Sequence, residues 1–380
     1  MRNRASAILV FSLIFASIQP ADAAIKSGSS CKIIGKISTS NGKSFICTKS
    51  AGKKIYKLVQ KQLPIAMVKD LPNQVEVVDS FDGLSGSISY TAYQSLKNYL
   101  SIQPKLATTS VFMELSPNAS VELSQATLQD MQEGFRFWQI YTPATTGIHM
   151  IFADREDLKW YESKMNQIQS GNESWLPRIL NLASESKEAA YAGANGRDTQ
   201  GNALFFYLPG KLTKADSSGW IGVGPHEWTH FAQNVMTSDI RKAPCWFKEG
   251  QATYYGNAIS NKDKSKWSAI WKEQINTLNV DYPKFFGMSE TKLLEWFKSH
   301  ELNMPNDVCG PEGAFIIGGM ATEYLVGTIG VEGVNTFMLD IGKGKDWKSA
   351  FVEATGKSYE VEMDAIVKFV IQEREWAKKP

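Results

Sequence analysis

Apolar positions along this chain fall into three regimes. The first is a run over residues 5–18 that follows Arg2 and Arg4 and ends before Ala21-Asp22-Ala23. A basic start, about fourteen apolar residues and a small-x-small pattern predict a cleaved signal peptide over 1–23, because a spanning helix needs roughly 20 apolar residues. An uncleaved signal anchor is the alternative. No lipid-attachment motif precedes Cys31, and no later segment reads as apolar enough to span a membrane. The second regime, 24–60, mixes Gly, Ser and Lys with strand-like stretches at 43–47 and 54–58. Asn41-Gly42 is a two-residue hairpin signal, so a small β module is predicted there.

The third regime is longer and more regular. Leu63-Pro64 and Leu71-Pro72-Asn73 suggest a linker. Helical apolar spacing at 90–100 and 124–140 makes 61–140 a linker and N-terminal lobe. Continuous apolar runs at Ile148–Phe152 and Ala203–Leu208 predict buried strands, the second stopped by Pro209-Gly210. His149 then reads as a sheet residue rather than a ligand. Beyond Lys262 the pattern is helical, at 267–276, 290–299, 313–326, 331–339 and 359–372, with Gly327, Gly330, Gly342 and Gly356 as punctuation. His300 ends one of these helices, where a cation suits the helix dipole.

Composition narrows the possibilities. At 380 residues two or three units are expected, and 43% hydrophobic with 21% charged residues is globular. The net charge of +2, with basic residues reading as scattered, excludes a nucleic-acid partner and a field toward anionic membranes. Four cysteines in an exported chain suggest disulfides, in any of three pairings. Proximity favours Cys31–Cys47, which closes the β module and leaves Cys245–Cys309. A zinc–thiolate site is the alternative, although no C-x-x-C pair exists.

The candidate chemistry lies at His226-Glu227-Trp228-Thr229-His230, which uses two of the four histidines. On a helix, residues four apart share a face, so both imidazoles can reach one metal ion. Glu227 is rotated by roughly 100° from His226 and is placed as a base rather than a ligand. Gly222-Val223-Gly224-Pro225 precedes the pentad, and Pro is tolerated in a helix's first turn. After Ala243-Pro244, residues 245–255 read as a second helix carrying Glu249, with eighteen residues between it and His230. A catalytic zinc wants three protein ligands and one open position, and His226, His230 and Glu249 supply three. Zinc held there would activate a water, with Glu227 accepting its proton as a carbonyl is attacked.

H-E-W-T-H, the eighteen-residue gap and Trp246-Phe247-Lys248-Glu249-Gly250-Gln251-Ala252 together resemble the gluzincin metallopeptidases of the peptidase MA-like group. The spacing is similar to the aminopeptidase-N-like branch. The metzincin pattern fails, because Gln233 and Met236 stand where it needs Gly and His. The resemblance implies an α+β fold: a thermolysin-like catalytic domain over 141–375, with a small sheet, an active-site helix and a helical C-terminal lobe. It also implies a secreted zinc metallopeptidase acting on a peptide or protein substrate, with no nucleic-acid partner and no stable membrane span after signal cleavage. In that family an edge strand borders the cleft. Ala203–Leu208 is either that strand or an ordinary core strand. The family's oxyanion-stabilising Tyr has no counterpart, since Gly310 occupies its place; Tyr254, Tyr255 and Tyr324 are candidates. The family's amino-terminus-binding Glu is also missing from Ala192-Gly193-Ala194-Asn195, which favours cleavage within a chain. The alternative is a surface binding or adhesion protein on a degenerate peptidase scaffold.

Overall fold

Ser40 pairs with Lys43, so only residues 41 and 42 separate the first two strands, as the Asn-Gly signal predicts. The computed structural model describes residues 26–32, 37–40, 43–50, 52–58, 86–103, 111–142, 147–168, 175–185, 191–210, 222–261, 263–301 and 313–379. The expected signal peptide, the linker over 61–85 and Cys309 lie outside these residues. Two compact units are present, 1–61 and 62–380. In the first, β1 (Ile37–Ser40), β2 (Lys43–Ser50) and β3 (Lys53–Leu58) form an antiparallel sheet in that order. The segment 26–32 runs along β3, with Gly28 N donating to Tyr56 O at 2.7 Å and Cys31 N to Lys54 O at 3.1 Å. Cys31 is disulfide-bonded.

The second unit is α+β and mostly helical, with a small mixed sheet. Its helices begin with α1 (Gly86–Ile102). The sheet is built from β4 (Val111–Leu115), β5 (Ile148–Phe152), β6 (Tyr191–Arg197) and β7 (Ala203–Leu208), in the order β4-β5-β7-β6. β4, β5 and β7 are parallel, and β6 is antiparallel to β7. The crossover from β4 to β5 is α2 (Val121–Trp138); α3 (Leu158–Ile168) and α4 (Trp175–Glu185) follow β5. β5 and β7 are buried at every position because both sheet faces are covered. Ile148, Met150, Phe152, Phe205 and Tyr207 face the main core. Ile151, Leu204, Phe206 and Leu208 pack on Tyr161 and Met165 of α3 and Leu176 and Ala183 of α4.

β7 lies between β5 and β6, so the core-strand reading of Ala203–Leu208 holds and the edge-strand reading does not. The edge on that side is β6, which packs against α5 (Val223–Thr237); Arg197 stands over the Phe231 ring at 5.5 Å.

The remaining helices are α6 (Cys245–Ser260), α7 (Lys264–Asp281), α8 (Glu290–Ser299), α9 (Ala314–Gly342), α10 (Trp347–Thr355) and α11 (Tyr359–Ala377). α6 is buried around its whole circumference except at Lys248 and Ser260. It can touch α9 closely because Gly250 meets Gly318: a Cβ at Gly250 would lie 2.1 Å from the Gly318 carbonyl carbon. The two helices expected at 313–326 and 331–339 are present as the two segments of α9, which meet at a kink at Gly330 with φ 71° and ψ 170°. Contrary to the sequence reading, α9 is long and apolar enough to cross a membrane. It is instead a core helix, packed on α1, α6 and α10. His300 closes α8: its Nδ1 faces Trp296 O at 2.8 Å, and its own carbonyl accepts from Trp246 N at the start of α6.

Candidate metal centre

α5 begins at Val223, capped by Gly222 at φ 94°, with Pro225 in the first turn where no donor is lost. A Cβ at Gly222 would sit 2.7 Å from the Gly256 carbonyl carbon, so the two helices meet backbone to backbone at that point. From there they run antiparallel. Thr253 Oγ1 lies 3.5 Å from His226 Nδ1, and Glu249 Oε2 lies 3.2 Å from His230 Nε2. Glu249, Thr253 and Gly256 are spaced four and three apart, so one stripe of α6 faces the histidine stripe of α5.

The sequence places both imidazoles and the Glu249 carboxylate in one site, and the structure brings them together. Glu249 Oε2 is also 3.9 Å from His226 Nε2, and one ligand atom from each residue lies within 4.8 Å of the others. Tetrahedral coordination at roughly 2.0–2.2 Å sets ligand atoms about 3.4 Å apart, so the spacing suits such an ion. Two imidazoles and one carboxylate suit zinc better than calcium or magnesium, which prefer all-oxygen sets. Glu227 is half-buried beside this cluster and is not part of the ligand group.

Gln233 fixes the chemistry of His230, and sequence reasoning missed it. Its Nε2 donates to Lys248 O and to Gln251 Oε1, both at 2.9 Å. That orients Oε1 as an acceptor, 2.8 Å from His230 Nδ1. His230 Nδ1 then donates to Gln233, and Nε2, which faces Glu249 at 3.2 Å, is the nitrogen that a metal would take in place of a proton.

Burial dominates the electrostatics. It pushes His226 down to about 3, helped by the charge of His230 and opposed by Glu249. It pushes Glu227 up to about 7, with His230 opposing and Glu249 adding. At Glu249 burial acts upward, but His230, then Lys248 and His226, outweigh it and hold the carboxyl at about 2. At His230 burial acts downward, and the Glu249 carboxylate overrides it to raise the group. The cluster therefore holds a carboxylate, a neutral His226 and a carboxyl at Glu227 poised near neutrality.

Three sequence candidates do not reach this site. Tyr254 packs against Trp267 and Trp271, Tyr255 against Phe137 and Trp138, and Tyr324 against Phe369. All are core aromatics, so none of the three takes the oxyanion role. What lies beside the site instead is Phe315 at the start of α9. Its ring is 5.9 Å from that of His226, nearly parallel and 41% exposed, and it forms an apolar wall. Cys245, four residues before Glu249, is disulfide-bonded. Its expected partner, Cys309, lies outside the described residues.

His149 is a sheet residue, as read, but sits in a network that the sequence conceals. Its ring lies between Glu114 Oε1 at 2.8 Å and Asp198 Oδ2 at 3.0 Å, and Lys164 also meets Glu114. Its two nitrogens face opposite ways, so this is a polar chain under α3 rather than a chelate. Comparison with protein-family models, with curated proteins and with solved structures finds no match.

Proposed function

We propose that the chain is a secreted zinc metallopeptidase of the gluzincin type that cleaves within peptide chains. The observation that carries this reading is the meeting of His226, His230 and Glu249 from two antiparallel helices. Bound zinc would supply an activated water and polarise a carbonyl oxygen. The chain's own residues do the rest. His226 and His230 present nitrogens from one rigid rod, and Glu249 presents an oxygen from its neighbour. Gln233 and Thr253 hold the far sides of the rings. Glu227, half-buried one residue along from His226, takes the proton of the attacking water and passes it to the leaving amine; a carboxyl near neutral pH suits both transfers. Phe315 walls the site with apolar surface. β6 carries no carboxylate over Tyr191–Arg197, which supports cleavage within a chain over removal of an amino-terminal residue. A disulfide at Cys245, bridging to Cys309, belongs to the same reading, as does Cys31–Cys47 in the β module.

The test is metal content and turnover together. The purified protein should hold about one zinc per chain and degrade an unfolded protein substrate. Glu227→Gln should keep the metal and lose turnover by about 100-fold or more, and His230→Ala should lose the metal. Cleavage by Glu227→Gln at the parent's rate removes the base assignment. A parent that binds zinc yet cleaves nothing makes the chain a binding protein on a peptidase scaffold, a reading the core-buried tyrosines favour.

A further inference from the structure

A net charge of +2 conceals a division. Residues 1–61 hold eleven of the 41 Lys and Arg and one of the 39 Asp and Glu, so this unit carries +10 and the 62–380 unit carries −8. The reading of scattered basic residues averages over the two. Within 26–61 there are nine lysines and no Arg, His, Asp or Glu.

The strand register sharpens this. Lys49 pairs directly with Lys54 across β2 and β3. Like charges directly opposite destabilise a sheet, and residues 26–61 hold no acid to offset them. Lys54 Nζ donates to the backbone carbonyl of Lys32 at 3.2 Å, so the chain of a third lysine passes beside this pair. Lys26, Lys32, Lys53 and Lys54 are exposed. By register, positions 43, 49 and 54 fall on one face of the sheet and positions 53 and 57 on the other. A row of ammonium groups that repel one another is stabilised when an anion lies along it.

We propose that the N-terminal unit docks the protein on a flexible phosphate polymer of the polyol-phosphate kind. Three observations select this partner. Lysines on both sheet faces suit a chain that can wrap, whereas a planar bilayer engages one face. Lys without Arg supplies point charges for phosphate but no planar fork for stacking on or reading bases. Seryl and threonyl positions alternate with the lysines, as at Ser38, Thr39, Ser40, Ser44, Thr48 and Ser50, and supply hydroxyl donors to phosphate and polyol oxygens. The proposal is independent of the peptidase reading.

The experiment measures binding of the full chain to poly(glycerol phosphate), to phosphatidylglycerol vesicles and to single-stranded DNA of equal charge. The polymer should bind tightest. Its affinity should fall about fifty-fold between 50 and 200 mM salt if four charges are neutralised, at a slope of roughly −0.7 per charge. Replacing Lys32, Lys49 and Lys54 together by Gln should weaken binding at least tenfold while leaving thermal melting unchanged or raised; replacing them by Arg should keep binding. Tighter binding to vesicles or DNA overturns the proposal, as does full binding by the glutamine variant. Should that variant misfold, the parent's salt slope decides, and a slope below one charge rejects the proposal.

Discussion

Gln233 does the most for the site without being a candidate ligand. It receives the Nδ1 proton of His230 and spends its own donors on Lys248 and Gln251, so it joins α5 to α6 at the level of Glu249. Gln233→Leu should lower zinc affinity by about 10- to 100-fold, the usual effect of losing a ligand's hydrogen-bond partner. Gln233→Glu, which keeps an acceptor, should lose less. Competition with a chromophoric chelator measures both, and equal affinity in all three proteins would show that the ring orientation is set elsewhere. His226, His230 and Glu249 were legible in the sequence because helical spacing and an Glu-Gly helix start carry the pattern. Gln233 was not, because a polar residue three positions after a histidine is unremarkable until its partners arrive from another helix. The same holds for His149, whose partners Glu114 and Asp198 come from positions 35 before and 49 after it.

Among the elements, α6 depends most on backbone contact. With Gly250 against Gly318 and Gly256 against Gly222, it is held on two sides where no side chain fits. Gly250→Ala would place a methyl group against backbone that cannot turn away. We expect a loss of about 3 kcal/mol or more, at or above the usual cost of overpacking. Chemical denaturation checks this, and a loss under about 1 kcal/mol would mean that α6 and α9 can separate cheaply. The sequence was informative where one periodicity ran long enough, as in α1, α2, α7, α8 and α11, or where an apolar run was continuous, as in β5 and β7. It failed at β6, where Tyr-Ala-Gly-Ala-Asn-Gly-Arg offers neither alternation nor bulk. It also failed at β4, which packs on the main core, and at α3 and α4, which are short and cover a small second core. The sequence did mark the kink in α9, since Gly330 is the glycine at which its two segments meet.

At the scale of the molecule, one acid pair fastens four helices. Glu323 of α9 and Glu373 of α11 both accept from Trp271 Nε1 of α7, at 3.0 and 3.1 Å, and Ser89 of α1 donates to Glu373 at 3.1 Å. Burial pushes Glu373 up to about 7 and, with the neighbouring Glu373 charge, pushes Glu323 well above the carboxylate range. A raised carboxyl stabilises the fold fully below its unfolded value, near 4.5, and the contribution is lost as pH rises through about 7. For Glu373 that loss is on the order of 3 kcal/mol. Between pH 5 and 8 the parent should therefore lose stability relative to Glu373→Gln by about that amount. Parallel stability–pH curves for the two proteins would rule out a raised Glu373 carboxyl.

Glu323 has a second consequence, for the journey rather than the destination. For a chain exported as proposed, α9 is apolar enough to be mistaken for a stop-transfer signal while still unfolded in the translocation channel. An acid near its middle makes retention in lipid costly, since an acidic residue at the centre of a spanning helix is penalised by roughly 2.5–3.5 kcal/mol. For an exported chain, the carboxyl that accepts from Trp271 in the core would thus also disfavour retention of the unfolded segment in lipid.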